Sequence, residues 1–112
     1  MWRNNQFIKN PGGCIVSNNI LQHKGNLKWC VRETPVNNID NGWRFISDID
    51  TDEYLSDPKN MSVCDFNSVA EIEPAIIQIY SYEVGSDLTL VCLNGTKVFV
   101  DSTTGLPIVT NQ

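Results

Sequence analysis

Apolar and polar positions alternate most regularly where Leu27, Trp29 and Val31 interleave with Lys28, Cys30 and Arg32. This is the two-residue period of a strand with one face in a core. A loop over residues 34–41 follows, rich in asparagine and holding Pro35 and Asp40, with Gly42 close behind. Trp43, Phe45 and Ile46 then read as a second buried strand. Pairing the two would place Trp29 and Trp43 in one core and leave Arg44 on the opposite pleat, facing a carboxylate such as Glu33. Shorter apolar strands are predicted over residues 14–17 and 61–66. Asn94-Gly95 between residues 88–93 and 96–100 is a strong hairpin signal. Its register sets Leu90 opposite Phe99 and Val91 opposite Val98, so both faces of the hairpin are expected to be covered.

Helical signals are short. Asn18-Asn19 opens a brief helix or turn carrying Ile20 and Leu21. Asp50 reads as an N-cap with Glu53 as the third helical residue, and Tyr54 and Leu55 supply the apolar side. Asp57 precedes Pro58, which pushes it out of helical geometry and ends the helix. Ser68-Val69-Ala70-Glu71 is a capping box, and Pro74 suits the first position of a further helix carrying Ile76, Ile77 and Tyr80. Residues 1–12, with Trp2, Phe7 and Ile8, read as a loosely docked arm that ends in a turn at Pro11-Gly12-Gly13. The sum is an α+β fold in one small domain over residues 1–112, a mostly antiparallel sheet of five to six short strands with two to three short helices. Residues 13–86 form its core and residues 87–101 a C-terminal hairpin.

Charge narrows the function. Thirteen acidic against eight basic residues give a net charge of −5, which disfavours nucleic-acid binding because phosphate neutralisation needs a basic surface. A charged partner would be basic. No apolar run approaches the roughly eighteen residues needed to span a bilayer. The four cysteines, Cys14, Cys30, Cys64 and Cys92, are scattered without a close pair, so they read as buried free thiols of a cytoplasmic protein, with two disulfides as the competing reading.

The chemistry concentrates in the acidic run Asp48, Asp50, Asp52 and Glu53. Asp48-x-Asp50-x-Asp52 resembles the start of a calcium loop, but the positions that need glycine and a bidentate glutamate hold Glu53 and Lys59. No metal or other cofactor is expected. A clustered acidic loop beside Trp43, Arg44 and Tyr54 reads instead as a binding surface for a basic protein. His23 is the only histidine and lies in a polar loop without a nucleophile motif, so the chain reads as a non-enzyme. A different class of function remains open, a small-molecule or peptide site on the sheet anchored by Arg32 and Arg44.

The segments Gly13-Cys14-Ile15-Val16-Ser17, Trp29-Cys30-Val31-Arg32-Glu33, Gly42-Trp43-Arg44-Phe45 and Asp52-Glu53-Tyr54-Leu55-Ser56-Asp57-Pro58-Lys59-Asn60 together resemble the immunity protein 33 domain of bacterial polymorphic toxin systems. This family is also catalogued as a domain of unknown function. Further matches are Asn67 with Ala70, Glu73-Pro74 with Ile77, and Val84-Gly85-Ser86. The resemblance covers residues 12–86, and beyond them the family's short charged tail is replaced by the apolar hairpin. It implies a cytoplasmic α+β binding protein, monomer or homodimer, that neutralises a cognate toxin by occluding it. It transfers no catalytic residue.

Overall fold

The computed structural model describes residues 7–108. The elements run β1 (Gly13–Ser17), α1 (Asn18–Leu21), β2 (Leu27–Arg32), β3 (Asp40–Ser47), α2 (Asp52–Leu55), a 3-10 turn at Pro58–Asn60, β4 (Met61–Asp65), α3 (Phe66–Ile72), a second 3-10 turn at Pro74–Ile79, β5 (Asp87–Leu93) and β6 (Thr96–Asp101). The strands form one sheet in the order β4-β1-β3-β2-β5-β6. Among the described residues only β1 and β3 run parallel. The fold is α+β, with a mostly antiparallel sheet.

One face of this sheet carries the core. On β3 the pleat sends Trp43 and Phe45 to that face, both 0% exposed, with Val16, Cys30, Leu88, Leu90 and Phe99 from neighbouring strands. Phe66, Val69, Ala70, Ile76 and Ile79 from α3 and the second 3-10 turn close over them. The aromatic residues connect in sequence. Trp43 stacks on Phe45 at 5.9 Å, Phe45 meets Phe66 at 6.0 Å, and Phe66 meets Tyr80 edge-on at 4.8 Å.

Strand β2 departs from its predicted facing. A bulge between Leu27 and Trp29 reverses the alternation, so Leu27 and Cys30 are buried while Trp29 and Val31 lie half-buried on the opposite face. Trp29 and Trp43 therefore share neighbouring strands but not a core. The hairpin has its predicted register, with Leu90 opposite Phe99 and Val91 opposite Val98. Asn94 and Gly95 both take positive φ, the geometry that matches the strand twist. Only one hairpin face is covered, however, because Val91, Val98 and Val100 stay half-exposed on the sheet's open side.

The short helices also start elsewhere than predicted. Thr51 caps α2 by accepting from the Tyr54 amide, since the Asp50 carboxylate is engaged in the interior. Asp65 caps α3, ahead of Ser68, because burying Phe66 requires the helix to begin where β4 ends. Pro74 opens a 3-10 turn, capped by Glu73, in place of an α-helix. Within residues 7–12 the arm is tied at Ile8 and Pro11, while Phe7, Lys9 and Asn10 are exposed. Asn67 brackets the Ile8 backbone with two hydrogen bonds, and the Pro11 carbonyl accepts from Asn41 and Tyr80. Trp2 lies outside the described residues. All four cysteines are free, and burial pushes the Cys14 and Cys30 thiols upward, while Cys92 is exposed, contrary to its predicted burial.

Gly42 sets the entry into the central strand. Its φ is +93°, and a Cβ there would lie 2.2 Å from the Glu33 carbonyl oxygen. Gly42→Ala is therefore expected to lose more than about 1 kcal/mol in chemical denaturation. Gly85→Ala, at φ +101° with nothing within 4 Å, should lose less, because only backbone strain acts there.

Candidate functional site

Arg44 projects from β3 onto the sheet's other face, yet it is only 8% exposed. A charge so enclosed needs matched partners. Its Nη1 and Nη2 donate to the two Asp40 carboxylate oxygens at 2.9 and 2.8 Å, and its Nε donates to Glu33 at 3.0 Å. Asp40 also accepts from the Val36 and Gly42 amides. The loop between β2 and β3 is thereby fastened at both ends to one guanidinium. The Arg44 hydrogen bonds hold the Asp40 carboxyl well below the usual carboxylate range, and Asp40 in turn raises Arg44.

Arg32 points to the opposite, core-facing side. Its guanidinium donates to the backbone carbonyls of Asn41, Tyr80 and Tyr82 and lies 5.8 Å from the Trp43 ring. Arg32 and Arg44 are thus separated by the sheet and cannot clamp one anion together. Trp43, fully buried with Nε1 donating to the Tyr80 carbonyl, offers no contact surface. Both members of the Trp43-Arg44 pair build the scaffold.

The acidic run separates into inward and outward groups. Asp50 accepts from the Ser47 amide and hydroxyl, from Asn19 Nδ2 and from the Ser17 hydroxyl, at 2.6 to 3.0 Å. Burial opposes its charge, but these bonds prevail and lower its pKa. Asp48 accepts from the amide of Asn26 at the foot of β2. Asp52 and Glu53, in the first turn of α2, are exposed and have no side-chain partner among the described residues. Tyr54 is half-buried beside them. The structure therefore brings Asp52, Glu53 and Tyr54 together at the surface and places Asp50, Trp43 and Arg44 inside. The three aspartates do not converge, and no metal-binding group of three His, Cys, Asp or Glu occurs among the described residues.

A second surface was not foreseen. Val36, Ile39 and Val63 are 74, 73 and 78% exposed, and with Ile15 and Asp40 they wall a cavity of about 180 Å³ floored by Gly13. Val36 and Ile39 belong to the loop fastened by Arg44. Their apolar character inside an otherwise polar loop, together with the paired Gly12-Gly13, was the available signal.

Residues 14–99 match the Immunity protein Imm33 domain. The match takes in β5 and most of β6, so the hairpin lies inside the matched stretch, beyond residue 86 where the sequence resemblance stopped. The chain belongs to the Immunity protein Imm33 domain family. No curated protein and no solved structure matches it. No helix among the described residues is long and apolar enough to cross a membrane.

Breaking the Arg44 cluster should be costly. Asp40→Asn is expected to destabilise by about 3 kcal/mol in urea unfolding, the lower end for a broken buried pair because Glu33 remains. Asp40 and Asp50 are both depressed in the folded state, so their stabilisation is complete above the unfolded carboxylate value of 3.8 and is lost as pH falls below it. Stability measured between about pH 5 and 2 should fall less steeply in Asp40→Asn than in the parent chain.

Proposed function

We propose that this chain is a non-enzymatic immunity protein that neutralises a cognate toxin of a bacterial polymorphic toxin system by binding it in the cytoplasm. Membership of the immunity family supports the role. The observation that carries the mode of binding is the uncompensated charge at Asp52 and Glu53, exposed at the start of α2 while neighbouring Asp48 and Asp50 are engaged within the fold. With a net charge of −5, this turn would steer a basic toxin surface into contact. Asp48 and Tyr54 lie at its margins. The small-molecule alternative loses its proposed anchors, since Arg32 and Arg44 stand on opposite sides of the sheet and both are already hydrogen-bonded.

The test begins with a pull-down of the tagged chain from its native host at low and moderate salt, with mass spectrometry of what co-elutes. A stoichiometric basic partner whose toxicity this chain relieves on co-expression is the expected result. Against that partner, Asp52→Lys combined with Glu53→Lys should slow association by about ten-fold at low salt and flatten its salt dependence. Asp50→Asn should reduce thermal stability while leaving the association rate close to that of the parent. No partner at either salt would remove the immunity reading, and an unchanged on-rate would remove the acidic turn from it.

A further inference from the structure

The sheet has two edges, and the chain treats them differently. At β6 the following segment folds back: Asp101 N donates to Leu106 O, Ile108 N donates to Phe99 O, and Val100 bridges to Pro107. That edge is occupied by the protein itself. Strand β4 pairs with β1 on one side and with no strand among the described residues on the other. Its sequence Met-Ser-Val-Cys-Asp contains neither the proline nor the lysine that commonly protects an open edge, and Val63 at its centre is 78% exposed.

The apolar cavity lies directly beside this edge. Gly13 on β1 pairs with Asp65 and Ile15 pairs with Val63, so these four positions share one sheet face, and the missing side chain at Gly13 leaves the hollow. Volume decides what fits. A dry cavity of about 150 Å³ takes a benzene-sized group, whereas small-ligand sites begin near 300 Å³. At about 180 Å³ the space suits one apolar side chain and is too small for a metabolite of ordinary size. Strands lie roughly 5 Å apart, so a segment added at β4 stands about 10 Å from β1, and only a long side chain such as Met or Phe, leaning over Val63, meets the pocket mouth.

Charge selects the occupant. Asp65 ends the edge strand and is exposed, and the Arg44 cluster beside the loop carries two carboxylates, Asp40 and the exposed Glu33, against one guanidinium. At the other end, the three carboxylates of Asp52, Glu53 and Asp57, against one exposed lysine, Lys59, lead through Pro58–Asn60 into Met61, so the rim stays negative. A second copy of this chain would bring the same negative rim and repel it. We infer that the open β4 edge and the pocket over Gly13 form a docking surface for a basic segment of a protein partner, which seats one apolar side chain in the pocket and bonds to the free edge backbone. This rests on the protein-binding reading above and adds to it the apolar contact.

The inference is tested by titrating the isotope-labelled full chain with a short peptide that has a central Phe flanked by valines and lysines, read by backbone amide shifts. Amides of Gly13, Ile39 and Val63 are expected to move. The counterpart with Ser for Phe, and the one with Glu for Lys, should each bind roughly thirty-fold more weakly, the size of one lost anchor. Gly13→Leu should abolish the shifts by filling the pocket. An added Cβ there meets its nearest atoms at 3.6 to 3.7 Å, ordinary contact that the fold accommodates. Val63→Asp, at an exposed position, provides a second variant with the same expected loss. Shifts absent, located elsewhere or retained in Gly13→Leu would overturn the inference. So would a dimer of the free chain, seen by sedimentation, that Val63→Asp dissociates. The titration needs no toxin, so its failure removes this surface alone, whereas failed rescue on co-expression with peptide binding intact removes the immunity role alone.

Discussion

A guanidinium held 8% exposed on a sheet face is the constraint from which much of this molecule follows. Alternation along β3 makes it unavoidable, because burying Trp43 and Phe45 on one side turns Arg44 to the other. An unpaired charge there would cost several kcal/mol, so Asp40 and Glu33 must come to it from the two ends of the loop between β2 and β3. That requirement draws the loop toward the sheet and fixes where Val36 and Ile39 stand. The apolar wall beside Gly13 is thus a consequence of an ionic cluster.

The same alternation divides the sheet by role. Helical segments and the chain of stacked aromatics occupy the core face, and Gly42, Trp43 and Phe45, from one of the segments that carry the resemblance, are spent there. Trp43 is fully buried, and Gly42 accommodates the Glu33 carbonyl. The open face keeps Ile15, Trp29, Ile46 and the hairpin valines half-exposed, an apolar surface of the kind that marks contact regions when contiguous. The Gly42-Trp43-Arg44-Phe45 segment thus builds the scaffold, while Asp52 and Glu53 of the Asp52-Glu53-Tyr54-Leu55 segment stand exposed at its surface.

The sequence made the element order, the α+β class and the hairpin register legible because turn chemistry and apolar runs are local signals. Asn94-Gly95 and Pro58 acted as their backbone preferences dictate. The facing of β2 was not legible, since a bulge shifts parity without leaving a compositional mark, and Cys30 reads as either polar or apolar. The role of Asp50 was misread for a related reason. Both capping and interior bonding use a short carboxylate near a helix start, and only the approach of Ser17 from β1 and Asn19 from α1 distinguishes them. The pocket was hidden because its floor and walls come from segments far apart in the chain.

The two acidic and apolar features near β4 act on different stages of binding. Exposed carboxylates such as Asp52 and Glu53 are screened within about 8 Å at physiological salt, so in the proposed complex they would accelerate encounter and contribute little to residence. A buried apolar anchor does the reverse, since differences among related complexes reside mostly in dissociation. The proposed immunity role would call for both, and neither the charged turn nor the pocket alone would provide them. Their placement along a single open edge, with the turn feeding into Met61 and the pocket beside Val63, lets one bound segment engage the two in succession. The opposite edge, closed by the chain's own return at Ile108, leaves that segment one direction from which to add.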